Sequence, residues 1–309
     1  MKEFIGFENI INGFMKRVDN NTLSHAHLIV GPDGIGKSLI AKKFALKILG
    51  KNDDYNYVDI INYKSDKASF GVDEVRKIIE EVSKKPYEGD KKVIIVHQGN
   101  KLTVQAQNAM LKTIEEPPKG VYIVLLSESL ELLLDTIKSR CQIYKLTPLD
   151  KDYMIRYIKS IGENDEDKVL TAIAYGEGIP GRAEKILKDN ELEKLRNLII
   201  ELFNEINKNN DNAVLEYETK FNKFKNEKYE LLNLIASFIR DIIVYKELRD
   251  KNNIINVDKI DDVGRLSSAL SYNRLNSMLR NIEKARNNFE NNISYSMAIS
   301  IMLIGFLEG

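Results

Sequence analysis

The run from His25 to Leu49 constrains the fold of this chain more than any other. Leu28, Ile29 and Val30 form a short apolar strand pattern. Gly31-Pro32-Asp33-Gly34-Ile35-Gly36-Lys37-Ser38 follows, a complete G-x-x-x-x-G-K-[ST] loop. Leu39, Ile40, Phe44 and Ile48 then recur at helical spacing. A strand feeding a helix through such a loop implies a parallel α/β sheet. Glycines at 31, 34 and 36 allow the backbone to approach an anion and turn its N–H groups inward. Lys37 would reach the outer phosphates of a nucleotide, and the Ser38 hydroxyl would ligate Mg²⁺. ATP or ADP is therefore the expected ligand. A loop of this fold that no longer needs nucleotide is the competing reading.

The second constraint is a substitution. Lys92 to Val96 reads as a charged lead-in to a buried strand. In a hydrolysing P-loop protein this strand ends on an Asp for Mg²⁺ and usually a Glu for water; here it ends on His97-Gln98. Neutral imidazole is a poor ligand for a cation that wants oxygen, and Gln cannot take a proton from water. Hydrolysis by this chain alone is expected to be absent or very weak. His97 alone is weak grounds for a metal site, and no metal site is predicted.

Further helix patterns lie near 7–18, 72–84, 103–116 and 131–138, and strand patterns near 57–62, 121–126 and 142–146. Strands separated by helices predict right-handed crossovers in a parallel sheet flanked by helices. The turn Thr147-Pro148-Leu149-Asp150 marks a boundary, beyond which no convincing strand appears. Residues 150–190 read as short helices interrupted at Gly176, Gly178, Pro180 and Gly181. Long helices follow, the clearest from Tyr229 to Leu248. The expected division is 1–147, 148–190 and 191–309.

Composition excludes several classes. Forty-six basic and forty-six acidic residues cancel, so bulk charge does not mark a nucleic-acid binder. One cysteine, Cys141, excludes an internal disulfide and a Cys-rich zinc site within one chain, and suits a reducing cytoplasm. Met1-Lys2-Glu3-Phe4 lacks the long apolar core of a signal peptide, so none is expected. The uncharged run Ile293 to Leu307 is too short to span a bilayer and reads as a buried terminal helix; no membrane association is expected.

A second constellation lies at Ser127 and Thr136 to Cys141. A hydroxyl at Ser127, ending a buried strand, would either sense a terminal phosphate or bond its own loop. Arg140 at a helix C-terminus either complements the helix dipole or projects into a neighbour's nucleotide as an arginine finger.

Together these motifs carry a resemblance. Ile5-Gly6, His25-Ala26, the loop Gly31 to Ser38, Val72 to Arg76 and Lys85 to Gly89 all contribute. So do Asn108 to Pro118 with its Glu-Glu-Pro-Pro, Ser139-Arg140-Cys141, and Gly178 to Ala183. The chain resembles the clamp-loader AAA+ family, most closely its bacterial DNA polymerase III delta-prime branch. The resemblance covers residues 1–190 by motif and the remainder only by length and helical content.

It implies an AAA+ α/β P-loop domain, a small helical lid and an all-helical C-terminal collar that oligomerises. It implies a stator in a hetero-pentamer with motor (gamma/tau) and delta subunits, loading the sliding clamp onto primed DNA in the cytoplasmic replisome. Arg140, with Ser139, would be the finger acting in trans; Arg182 would match the sensor-2 arginine; Ile5 and Gly6 would border the adenine. Two departures stand out. The linker Gly50 to Tyr57 lacks the family's zinc cysteines, so no zinc is expected, and the phosphate loop is intact. The alternatives are an ATP-hydrolysing motor subunit of the same assembly, a stand-alone P-loop ATPase, and a scaffold without a working finger.

Overall fold

The computed structural model describes residues 5–53, 55–65, 67, 69–208, 210 and 212–308. The described residues fall into two compact units, one within 1–157 and 178–181, the other within 158–177 and 182–309.

The first unit alternates helix and strand: α1 (Glu8–Asp19), β1 (Ala26–Val30), α2 (Lys37–Ile48), β2 (Ile60–Tyr63), α3 (Val72–Ser83), β3 (Lys92–Val96), α4 (Val104–Glu115), β4 (Val121–Ser127), α5 (Asp135–Lys138) and β5 (Gln142–Lys145). Its five strands are all parallel, in the order β2-β3-β4-β1-β5. Every residue of β1 and β3 is buried, as in a sheet covered on both faces. Alternate side chains serve opposite layers. Leu28, Ile94, Ile123 and Leu125 pack with Val75, Ile78, Met110 and Ile114 of α3 and α4. Ile29, Val93, Ile95 and Val124 pack with Phe14, Ile40 and Phe44 of α1 and α2.

The register aligns the strand ends that carry the site. Val30 lies opposite Ser127 on β4 and Lys145 on β5. Val96 lies opposite Leu125 and Tyr63. Gly31 and His97 therefore leave the carboxyl edge of the sheet, where ligands of open α/β sheets bind.

Two segments differ from the sequence expectation. The strand expected over 57–62 begins only at Ile60. Asp59, buried, accepts from the Tyr87 and Glu88 N–H groups at 2.7 and 2.9 Å, which commits the preceding residues to a turn. The helix expected over 131–138 is confined to α5. Gln107 Nε2 donates to Leu132 O at 3.1 Å, and Leu134 N donates to Gln107 Oε1 at 2.8 Å. This pair holds the leucine run in an open conformation.

Continuing along the chain come α6 (Lys151–Ser160), α7 (Glu166–Gly176), α8 (Pro180–Lys188), α9 (Asn190–Asn207), α10 (Ala213–Phe221), α11 (Lys228–Leu248), α12 (Ile260–Ala269), α13 (Tyr272–Glu290) and α14 (Tyr295–Glu308). In the second unit, α11 supplies the core with Leu231, Leu234, Ile235, Phe238, Ile239 and Ile242, none of them exposed. Asp241 on the same helix is also buried and accepts from Ile255 N, Asn256 N and Asn256 Nδ2. Arg196 of α9, buried, donates to both carboxylate oxygens of Asp258 at 2.6 and 2.9 Å. Among the described residues no helix is long and apolar enough to cross a membrane. The terminal helix expected to be buried is so on one side only: Met297, Ile301 and Ile304 of α14 are 59%, 40% and 44% exposed.

Candidate functional site

The loop after β1 folds as its glycines allow. Gly34 and Gly36 take φ of +83° and +105°, left-handed values that disfavour side chains. Gly31 is needed for space: a Cβ there would lie 2.6 Å from Leu146 O. The loop is tied to the sheet by Gly31 N donating to Ser127 O at 3.1 Å. Gly36 precedes α2 and offers no side-chain cap to its first-turn N–H groups. Lys37 Nζ turns back and donates to Gly31 O at 2.8 Å and Pro32 O at 2.9 Å. Burial lowers its pKa, opposed by the charges of Asp33 and Glu128. The result is a cationic anion nest with a helix N-terminus behind it.

Next to it, His97 leaves β3 with its N–H donated to Tyr63 O. His97 Nδ1 lies 3.4 Å from Ser38 Oγ, and Nε2 lies 3.0 Å from Asn62 Oδ1. Burial, then the charge of Lys64, lowers the imidazole pKa, so the ring is neutral near pH 7. With Nε2–H donating to Asn62 Oδ1, Nδ1 accepts the Ser38 hydroxyl proton. The phosphate nest fits a nucleotide. A Mg²⁺ companion fits poorly, because the side chain beside Ser38 is an uncharged imidazole. Among the described residues no group of three or more His, Cys, Asp or Glu is arranged to hold a metal ion.

The remaining predicted residues make contacts of their own. Ser127 is buried and its hydroxyl donates to Ser129 O at 2.8 Å, closing its own loop. Gly6, at φ +84°, lies so close to Leu149 that a Cβ would approach Leu149 Cδ2 to 2.6 Å; Ile5 precedes it, half-buried. Leu149 N in turn donates to Gly178 O at 2.7 Å. Gly181 N donates to Gly34 O at 2.9 Å, fastening the Gly-Ile-Pro-Gly segment to the phosphate loop. Arg182 lies in the second unit, exposed and paired with Glu177 Oε2 at 3.2 Å.

Arg140 follows α5 at the surface. Its Nε lies 3.2 Å from Glu115 Oε2, and its Nη1 donates to Thr136 O at 3.1 Å. Ser139 Oγ donates to Thr136 O at 3.2 Å. Cys141, the next residue, packs on the apolar layer beneath α3 and α4, where burial pushes its thiol up to about 12. One residue thus anchors the segment and its neighbour points out. Glu115 belongs to the Glu-Glu-Pro-Pro motif, so the two surface motifs meet through one ion pair. Sequence reasoning noted Glu115 only as part of its motif, and gave Asn62 and Glu128 no role. Only the fold brings Asn62 to His97, and Glu128 to Asn100 Nδ2 at 3.3 Å.

A parallel sheet in this order, with a phosphate loop after β1, defines a P-loop domain of the AAA+ kind. The family model described as DNA polymerase III, delta subunit, matches residues 6–150, and that described as DNA polymerase III, delta subunit, C terminal, matches 189–307. DNA polymerase III subunit delta' of Haemophilus influenzae is 28% identical over 262 residues, covering 78% of this chain and 76% of that protein. The Bacillus subtilis subunit delta' is 22% identical and covers 94% and 93%. A Thermotoga maritima DNA polymerase III, gamma subunit-related protein shares the fold, with a TM-score of 0.50 at 17% identity over 96% of this chain and 98% of that one. The chain belongs to the family of DNA polymerase III delta-prime subunits.

Proposed function

We propose that this chain is the stator of a clamp loader: it binds nucleotide without turning it over and offers Arg140 to the ATP of a neighbouring motor subunit. The observation that carries this reading is one molecule holding an intact phosphate nest, a neutral His97 beside it, and an exposed Arg140 on an anchored segment. A surface ion pair such as Arg140–Glu115 is worth no more than ~1 kcal/mol, so it yields readily to a phosphate. Arg182 and the Ile5-Gly6 segment would serve the nucleotide held by this chain, and Ser127 would support the loop through its backbone carbonyl.

In this reading the chain is divided into an AAA+ domain over 1–147, a lid over 148–190 and a collar over 191–309. The apolar strip of Met297, Ile301 and Ile304 gives the collar a surface for motor and delta subunits. The assembly as a whole would place the sliding clamp on primed DNA. The intact loop also suits a motor subunit; steady ATP turnover by the isolated chain, abolished in Lys37→Ala, would favour that reading instead.

The test is clamp- and primed-DNA-stimulated ATP turnover by motor and delta subunits of the same organism, with this chain either wild type or Arg140→Ala. A working finger predicts a loss on the order of 10³-fold at the site it serves, with co-elution unchanged. Unchanged turnover at every site would sink the stator reading.

A further inference from the structure

We infer that the phosphate loop holds a nucleoside diphosphate without a divalent cation, the neutral chain Ser38–His97–Asn62 standing where a metal-holding carboxylate would be required. This rests on the reading that the loop binds nucleotide and says how.

Mg²⁺ sheds water reluctantly and is usually held by one or two carboxylates together with phosphate oxygens. Here Ser38 Oγ lies 3.4 Å from His97 Nδ1, and His97 Nε2 lies 3.0 Å from Asn62 Oδ1. None of the three side chains is a carboxylate, and the two hydrogen bonds tie them to one another. The carboxylates whose charge reaches Lys37 are Asp33 and Glu128. Both are exposed, and Glu128 is held by Asn100 Nδ2 at 3.3 Å. Neither is part of a three-residue metal cluster.

The cationic side is complete by comparison. Gly34 and Gly36 hold the left-handed turns of the nest, the first turn of α2 has no side-chain cap, and Lys37 stands at its mouth. One lysine and a ring of amides balance a diphosphate better than a triphosphate, whose additional charge is normally offset by the metal. ADP should therefore bind more tightly than ATP, and without regard to Mg²⁺.

The experiment is isothermal titration of the full chain with ADP, in excess Mg²⁺ and in EDTA, for wild type, His97→Asp and Lys37→Ala. The expected result is wild-type dissociation constants within about threefold of each other in the two buffers. His97→Asp should bind at least about tenfold more tightly with Mg²⁺ than with EDTA, and Lys37→Ala should lose binding in both.

Wild-type binding about tenfold or more weaker in EDTA overturns the inference while leaving nucleotide binding intact. A folded His97→Asp protein indifferent to Mg²⁺ overturns it too, since His97 would then decide nothing. Wild-type protein silent in both buffers removes both the inference and the nucleotide reading. If His97→Asp fails to fold by thermal melt, Mn²⁺ electron paramagnetic resonance of the wild-type protein with ADP takes its place. A spectrum equal to that of Mn²⁺ with ADP alone supports the inference, and protein-bound Mn²⁺ overturns it.

Discussion

His27 shows how far a single residue's chemistry depends on distant neighbours. It lies on β1 with no exposed surface, its ring edge-on to Phe14, Nδ1 3.4 Å from the Tyr144 hydroxyl, and Nε2 without a partner. Burial lowers its pKa from 6.5 to about 4. A depressed folded pKa means that stability is full above the unfolded value and is lost as pH falls through the folded one. Wild type should therefore lose about 3 kcal/mol relative to His27→Phe between neutral pH and below pH ~4, read from urea midpoints across that range. Equal losses in both proteins would refute the account. The phosphate loop was legible because its residues are consecutive and each has a local task. His27 was not, because Phe14 and Tyr144 meet it only after folding.

At the scale of elements, Lys92 joins β3 to the end of α3. Its ammonium is fully buried and donates to Glu81 O, Glu81 Oε1 and Lys84 O at 3.0 to 3.2 Å, so a cation closes a helix C-terminus. Burial would raise the Glu81 pKa, but hydrogen bonds from Lys92 and Lys84 outweigh it and hold the carboxyl below its ordinary value. Lys92→Met should cost about 3 kcal/mol in chemical denaturation, because two carbonyls and a carboxylate lose their buried partner. A cost under ~1 kcal/mol would mean that water replaces the ammonium without penalty. The elements themselves were largely legible: β1, β3 and β4 fall within a residue of the apolar runs that announce them. In the two segments of the first unit where expectation and structure part, a hydrogen bond between a polar side chain and backbone distant in sequence is the cause. Gln107 holds the leucine run before α5 open, and Asp59 shortens β2. Neither donor–acceptor pairing leaves a trace in local propensity.

For the whole molecule, the outcome to examine is assembly. Met297, Ile301 and Ile304 are spaced along one face of α14, while Ala298, Met302 and Phe306 fill the core behind them. Met297→Lys/Ile301→Lys should leave the melting temperature of the isolated chain within a few degrees, since exposed positions rarely move stability beyond about 0.5 kcal/mol. It should abolish co-elution with motor and delta subunits; unchanged co-elution would place the contact elsewhere. The sequence by itself determined the alternation of strand and helix, the phosphate loop and the absence of an acid at His97-Gln98. These are properties of adjacent residues and short periods. Only the tertiary structure decided that Ser38, His97 and Asn62 form one neutral chain, that Glu115 holds Arg140, and that one side of α14 stays bare. Those depend on contacts between residues far apart in the chain, whose partners are chosen by sheet order and packing, not by local pattern.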